Sequence, residues 1–80
     1  MTDTTAYMAA LTASILLLRH TLAKAMVEAT TACKDLEDGN PRAAVGAVVP
    51  AGQALADARA LLDTIFILNR NLNQGDAHAQ

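Results

Sequence analysis

The apolar spacing on either side of one short break, Gly39-Asn40-Pro41, constrains this chain more than any other feature. Met8, Leu11, Ile15, Leu18, Leu22, Ala25, Ala29, Ala32 and Leu36 recur at alternating steps of three and four residues. Ala44, Ala47, Ala51, Ala54, Ala58, Leu61, Ile65, Leu68 and Leu72 repeat the pattern. A half-buried strand would alternate at every second residue, whereas this period keeps one face of a helix against a neighbouring helix. The break reads as a stop followed by a start. Gly39 suits the left-handed position that closes a helix, Asn40 can cap the next one, and Pro41 fits a first helical position, where its missing N–H is not needed.

Thr2, Asp3 and Thr4 are N-cap types ahead of the first apolar run. The sequence therefore predicts a single domain over residues 1–75, with helix 1 at about 4–38, a turn at 39–40 and helix 2 at about 41–73. Gly75 can end the second helix, and 76–80 reads as a disordered tail. Pro50 lies inside helix 2 and deprives the Gly46 carbonyl of its usual donor. A kink is expected there rather than a break, because the apolar spacing does not skip across the proline.

Folding the chain at the turn makes the two seams pair off symmetrically: Leu36 with Ala44, Ala32 with Ala47, Ala25 with Ala54, Leu18 with Leu61, Leu11 with Leu68 and Met8 with Leu72. The fold class is all-α, an antiparallel two-helix hairpin. Small residues meet near the turn and large ones near the termini, so the helices should approach closely at the turn and splay at the open end.

A second apolar stripe runs along one flank only. Helix 1 contributes Ala9, Leu16, Ala23, Met26 and Cys33, and helix 2 contributes Val45, Val48, Leu55, Leu62 and Phe66. The opposite flank carries Ser14, Thr21, Glu28, Asp35, Asp57, Thr64 and Asn71. A two-helix hairpin cannot bury such a stripe by itself, and an exposed patch of this kind marks an interface. The simplest closure is a homodimer, in which the patch meets its own copy in a four-helix bundle. Gly52 and Ala23 would permit close contact there, with Arg19 and Arg59 at the rim.

Composition narrows the function classes. With 80 residues and 52% apolar content, the chain is too small for more than one domain and too apolar for a disordered one. One cysteine excludes an internal disulfide or a multi-cysteine zinc site. A net charge of −2 argues against nucleic acid, whose binding draws on Lys and Arg at phosphates. The longest uncharged runs, Thr4–Leu18 and Ala43–Ala56, are shorter than the ~20 residues of a spanning helix. No basic residue precedes the first of them, so it makes a poor secretory signal. A cytoplasmic protein of a bacterium or phage is the expectation, with no membrane association.

No constellation of residues builds an enzyme. His20 takes an outward position with Lys24 one turn further on, the pair a phosphohistidine would need. The expected architecture is similar to the dimerisation domain of histidine kinases. However, Thr21 stands where that family usually has an acidic residue, and no proline follows before Pro41. Phosphotransfer proteins usually carry a glycine shortly after the histidine, where Ala23-Lys24-Ala25 stands here. His20 thus reads as a surface histidine, with a phosphoacceptor role as the alternative.

Cys33 is 13 residues from His20, roughly 20 Å along a helix, too far for the thiol to be activated by the imidazole. It reads as a packing residue. The run Asp35-Leu36-Glu37-Asp38-Gly39-Asn40 fails the calcium-loop pattern, because its sixth position is Asn40 and its twelfth Gly46. Asn69-Arg70-Asn71-Leu72-Asn73-Gln74 offers one arginine among amides, a thin basis for RNA.

Four aliphatics stand outside both stripes: Leu17, Val27, Val49 and Ile67. Leu17 and Ile67 share the open end with Tyr7 and form a possible partner-binding patch. The expected function is that of a non-enzymatic regulator or adaptor, homodimeric and docking on another protein through helix faces. It carries no cofactor, metal or small-molecule substrate. A phosphorelay module, an RNA-binding dimer and a subunit of a hetero-oligomer are the alternatives.

Overall fold

The computed structural model describes the backbone of residues 4–79 and the side chains of residues 5–71. It is an all-α hairpin of two helices, α1 (Thr4–Glu37) and α2 (Pro41–Ala79). The cap types Thr2 and Asp3 lie outside the described residues. α2 extends past the end expected near Asn73, and the tail expected at 76–80 falls where no side chain is described.

The turn is a Schellman closure. Gly39 adopts φ +74°, a conformation that costs glycine little and other residues more. The Asn40 amide donates to the Asp35 carbonyl at 2.8 Å and the Gly39 amide to the Leu36 carbonyl at 3.0 Å. Those bonds occupy carbonyls that the end of α1 would otherwise leave without donors. The Ala44 amide donates to the Asn40 carbonyl at 3.1 Å, so Asn40 opens α2 and Pro41 takes its first helical position. The helix then continues through Pro50 without a break.

The α2 side of the seam follows the sequence spacing from Ala44 to Leu68, and Leu72 lies outside the described side chains. Ala44, Ala54 and Ala58 are buried, and Ala47, Ala51, Leu61, Ile65 and Leu68 are half-buried. On α1 only half of the expected seam faces inward. Leu11, Leu18, Ala25 and Ala32 do so, but Met8, Ile15, Leu22, Ala29 and Leu36 are exposed. Their places are taken by Tyr7, Ser14, Thr21, Glu28 and Asp35, all half-buried. The polar row expected on the far flank of α1 is thus drawn to the seam.

The difference has a steric reason. The facing surface of α2 is alanine over five successive seam positions, from Ala44 to Ala58, and close packing against so flat a surface favours short side chains. Thr21, opposite Ala58, meets that demand, while Leu22 lies one residue step, about 100°, further round α1; Ser14 lies opposite Ile65, beyond the alanine run, and follows the rotation of the helix as a whole. The rotation has a cost at Glu28, whose Oε1 is buried with no hydrogen-bond partner. An unpaired buried acceptor of this kind costs about 1–3 kcal/mol.

The seam leaves the hairpin with very little core. Among the described residues, the buried hydrophobic side chains are Ala32, Ala44, Ala54 and Ala58. The molecule measures 62 × 16 × 14 Å, with a radius of gyration of 18.3 Å. A compact chain of this length would have a radius of about 12 Å.

Candidate interaction surface

The apolar flank is wider than the sequence spacing suggests, because the rotation of α1 adds to it. Leu16, Ala23, Met26 and Cys33 on α1 are exposed, as are Val45, Val48, Gly52, Leu55 and Phe66 on α2, while Leu62 is half-buried. Ile15 and Leu22, each 46% exposed, now stand between the first of these rows and the seam. Two stripes expected to be separate, one internal and one external, merge on α1 into one surface. Ile15, Leu18, Leu22, Ala23 and Met26 line a shallow apolar hollow, with Arg19 at its edge. On α2 the guanidinium Nε of Arg59 is held 3.3 Å from Asp63 Oδ1, which turns its charge toward the outer side of the flank.

The direction of these side chains carries information about neighbours. Leu11, Leu18, Ile15 and Leu22 bracket a line about 50° to one side of the axis joining α1 to α2, at about 100° per residue. In a square four-helix bundle each helix has two neighbours at right angles, so its core side chains point about 45° off the line to either one.

The other flank is a polar groove of about 340 Å³ between the helices, lined by His20, Thr21 and Lys24 of α1 and by Pro50, Gln53, Ala54 and Asp57 of α2. Sequence spacing places His20 and Asp57 on outward-facing positions but does not bring them together; the antiparallel register does. Gln53 Nε2 donates to Asp57 Oδ1 at 2.9 Å, fixing the carboxylate along its own helix. Apart from the half-buried Thr21 and the buried Ala54, the lining side chains are exposed. Among the described residues, Lys24 has no ion-pair partner; the ion pairs are Lys34–Asp38, at 4.0 Å, and Arg59–Asp63. No protein-family model, curated protein or solved structure matches this chain.

The remaining candidates are scattered. Leu17 and Ile67 are exposed and Tyr7 is half-buried in the seam, so the patch expected at the open end is two aliphatics beside an inward-turned ring. Asn69, Arg70 and Asn71 are exposed, whereas Leu72, Asn73 and Gln74 lie outside the described side chains. By length and composition α1 reaches what a membrane crossing requires, at a mean hydropathy of 1.3 over its most apolar 18-residue window, none of which is buried. The length of uncharged runs conceals this, because Arg19 and Lys24 divide an otherwise apolar stretch that extends to Val27.

Proposed function

We propose that the hairpin is a non-enzymatic interaction protein that self-associates through its apolar flank into a four-helix bundle and, as a dimer, docks on another protein. The observation that carries this reading is the contrast between a core made of alanine and a flank made of large aliphatics. The chain exposes 6020 Å², whereas a compact monomer of its mass would expose about 4,600 Å². Two hairpins closing into one compact particle would expose about 7,600 Å², so on the order of 4,400 Å² is the upper bound on what two 62 Å rods packed side by side remove from solvent. That falls within the range of obligate homodimers, about 2,000–5,000 Å².

In this reading a bend at Pro50, next to the unclaimed Gly46 carbonyl, lets α2 follow the curve of the bundle. Leu17 and Ile67 lie away from the dimer flank and stay available to a partner. Light scattering on the purified chain tests the first step. A particle of twice 8.3 kDa supports the reading, and a stable monomer at micromolar concentration overturns it.

One observation favours a second reading: the apolar length of α1 would let the hairpin enter a lipid bilayer. Half-buried Glu28 and exposed Arg19 and Lys24 oppose it. Co-flotation with phosphatidylcholine vesicles in place of a soluble dimer would establish that alternative.

A further inference from the structure

We infer that the second copy packs antiparallel, with the turn of each protomer lying over the open end of the other. This rests on the self-association reading and adds the arrangement within it. The seam and the apolar flank both taper along the hairpin. Near the turn they offer Ala32, Ala44, Cys33, Val45 and Val48, with Leu36 the one large side chain; near the open end they offer Ile15, Leu16, Leu61, Leu62 and Phe66. A bundle core is filled at near-crystalline density, so each layer across it needs about the same side-chain volume. Antiparallel packing sets the small layers of one protomer against the bulky layers of the other and levels that volume. Parallel packing would stack small on small and large on large, leaving voids at one end and overpacking the other.

Charge favours the same arrangement. Asp35, Glu37 and Asp38 cluster at the turn with only Lys34 and Arg42 beside them, so parallel protomers would place two acidic turns side by side. Antiparallel protomers separate the turns and bring each toward the exposed Arg70 of its copy.

The geometry is measurable. At 1.5 Å per residue, Cys33 lies about 10 Å from the turn, Leu22 and Leu55 about 25 Å, and Phe66 about 40 Å. The centre of the apolar flank falls at Leu22 and Leu55, and a two-fold axis there lays α1 on α1 of the copy and puts Cys33 of one protomer level with the exposed Thr12 of the other, itself about 40 Å from its own turn. The two copies of Cys33 are then separated by about 30 Å along the bundle. Cys33 is the one cysteine and is exposed, so it serves as a native reporter.

The experiment is oxidative cross-linking of the Thr12→Cys variant, with the linked peptides identified by mass spectrometry. The two thiols of one chain lie about 30 Å apart, which excludes a link within a protomer. The expected product is a covalent dimer joining Cys33 to position 12 of the other chain. Links of Cys33 to Cys33 would overturn the antiparallel arrangement while leaving the dimer intact. Spin labels on Cys33 of the otherwise unaltered chain give an independent reading. An inter-label distance of about 30 Å supports the proposal and one below about 20 Å rejects it. A monomeric mass by light scattering removes the underlying self-association instead, so the two failures are told apart.

Discussion

On one flank of the hairpin Ile15, Leu22, Val48 and Leu55 stand exposed beside one another; on the other, His20 and Lys24 face Gln53 and Asp57 across a groove. Both flanks are made from the same two helices around the same alanine seam. They differ in what water does to them. The polar flank is satisfied by solvent and by contacts along its own helix, such as Gln53 with Asp57. The apolar flank has no such recourse, and area of that kind leaves water when a partner is present. In a hairpin this thin, the seam fixes the pairing of the helices, while in the proposed dimer the flank would supply the drive to assemble.

The sharpest way to break the comparison is to place the same charge on two faces of α2. Leu55→Asp, at a residue 57% exposed on the apolar flank, should raise the dimer dissociation constant at least about 100-fold, since it would bury an unpaired charge. Val49→Asp, at a residue 69% exposed on the side of α2 away from the seam, should leave association unchanged. Sedimentation equilibrium reads both, and equal effects would refute a one-sided surface.

A smaller effect is expected in the seam. Ala54→Leu should overpack the approach of the helices and destabilise by about 1–3 kcal/mol in urea unfolding. A neutral result would mean that the alanine surface is looser than its burial implies. Glu28→Met should act in the opposite direction, raising stability by about 1 kcal/mol, because it removes the buried Oε1 that has no partner. A loss of stability there would show that the carboxylate is satisfied by solvent. The smallest change belongs to the polar groove. Asp57→Ala gives up one exposed hydrogen bond from Gln53 and should shift stability by no more than about 0.5 kcal/mol, with association untouched.

Much of the fold was legible before any coordinates. Gly39-Asn40-Pro41 specified the turn because each residue type has one local conformation that suits it there, and the model shows all three in place. The α2 seam was legible because its inward side chains are alanines and aliphatics at an unbroken period. The α1 seam was legible only in part. Its apolar sector is too wide to single out one line of contact, so spacing alone selected Ile15 and Leu22 where the helix turns Ser14 and Thr21 inward. A signal for Thr21 over Leu22 was on the other helix, where the alanine run that ends at Ala58 offers no depth for a long side chain. Glu28 escaped notice for the same reason, since a carboxylate reads as solvated until a neighbour covers it. The groove that gathers His20, Lys24, Gln53 and Asp57 was invisible because its members come from both helices and meet only through the register.

The sequence by itself determined that this chain forms two helices, where they are divided and which face α2 offers. Those properties follow from backbone preferences and from periodicity along one element. Only the tertiary structure decided how far α1 is rotated about its own axis, and with it the width of the apolar flank. That angle is set by the fit of side chains across the gap between helices, a quantity that belongs to the pair and to neither helix alone.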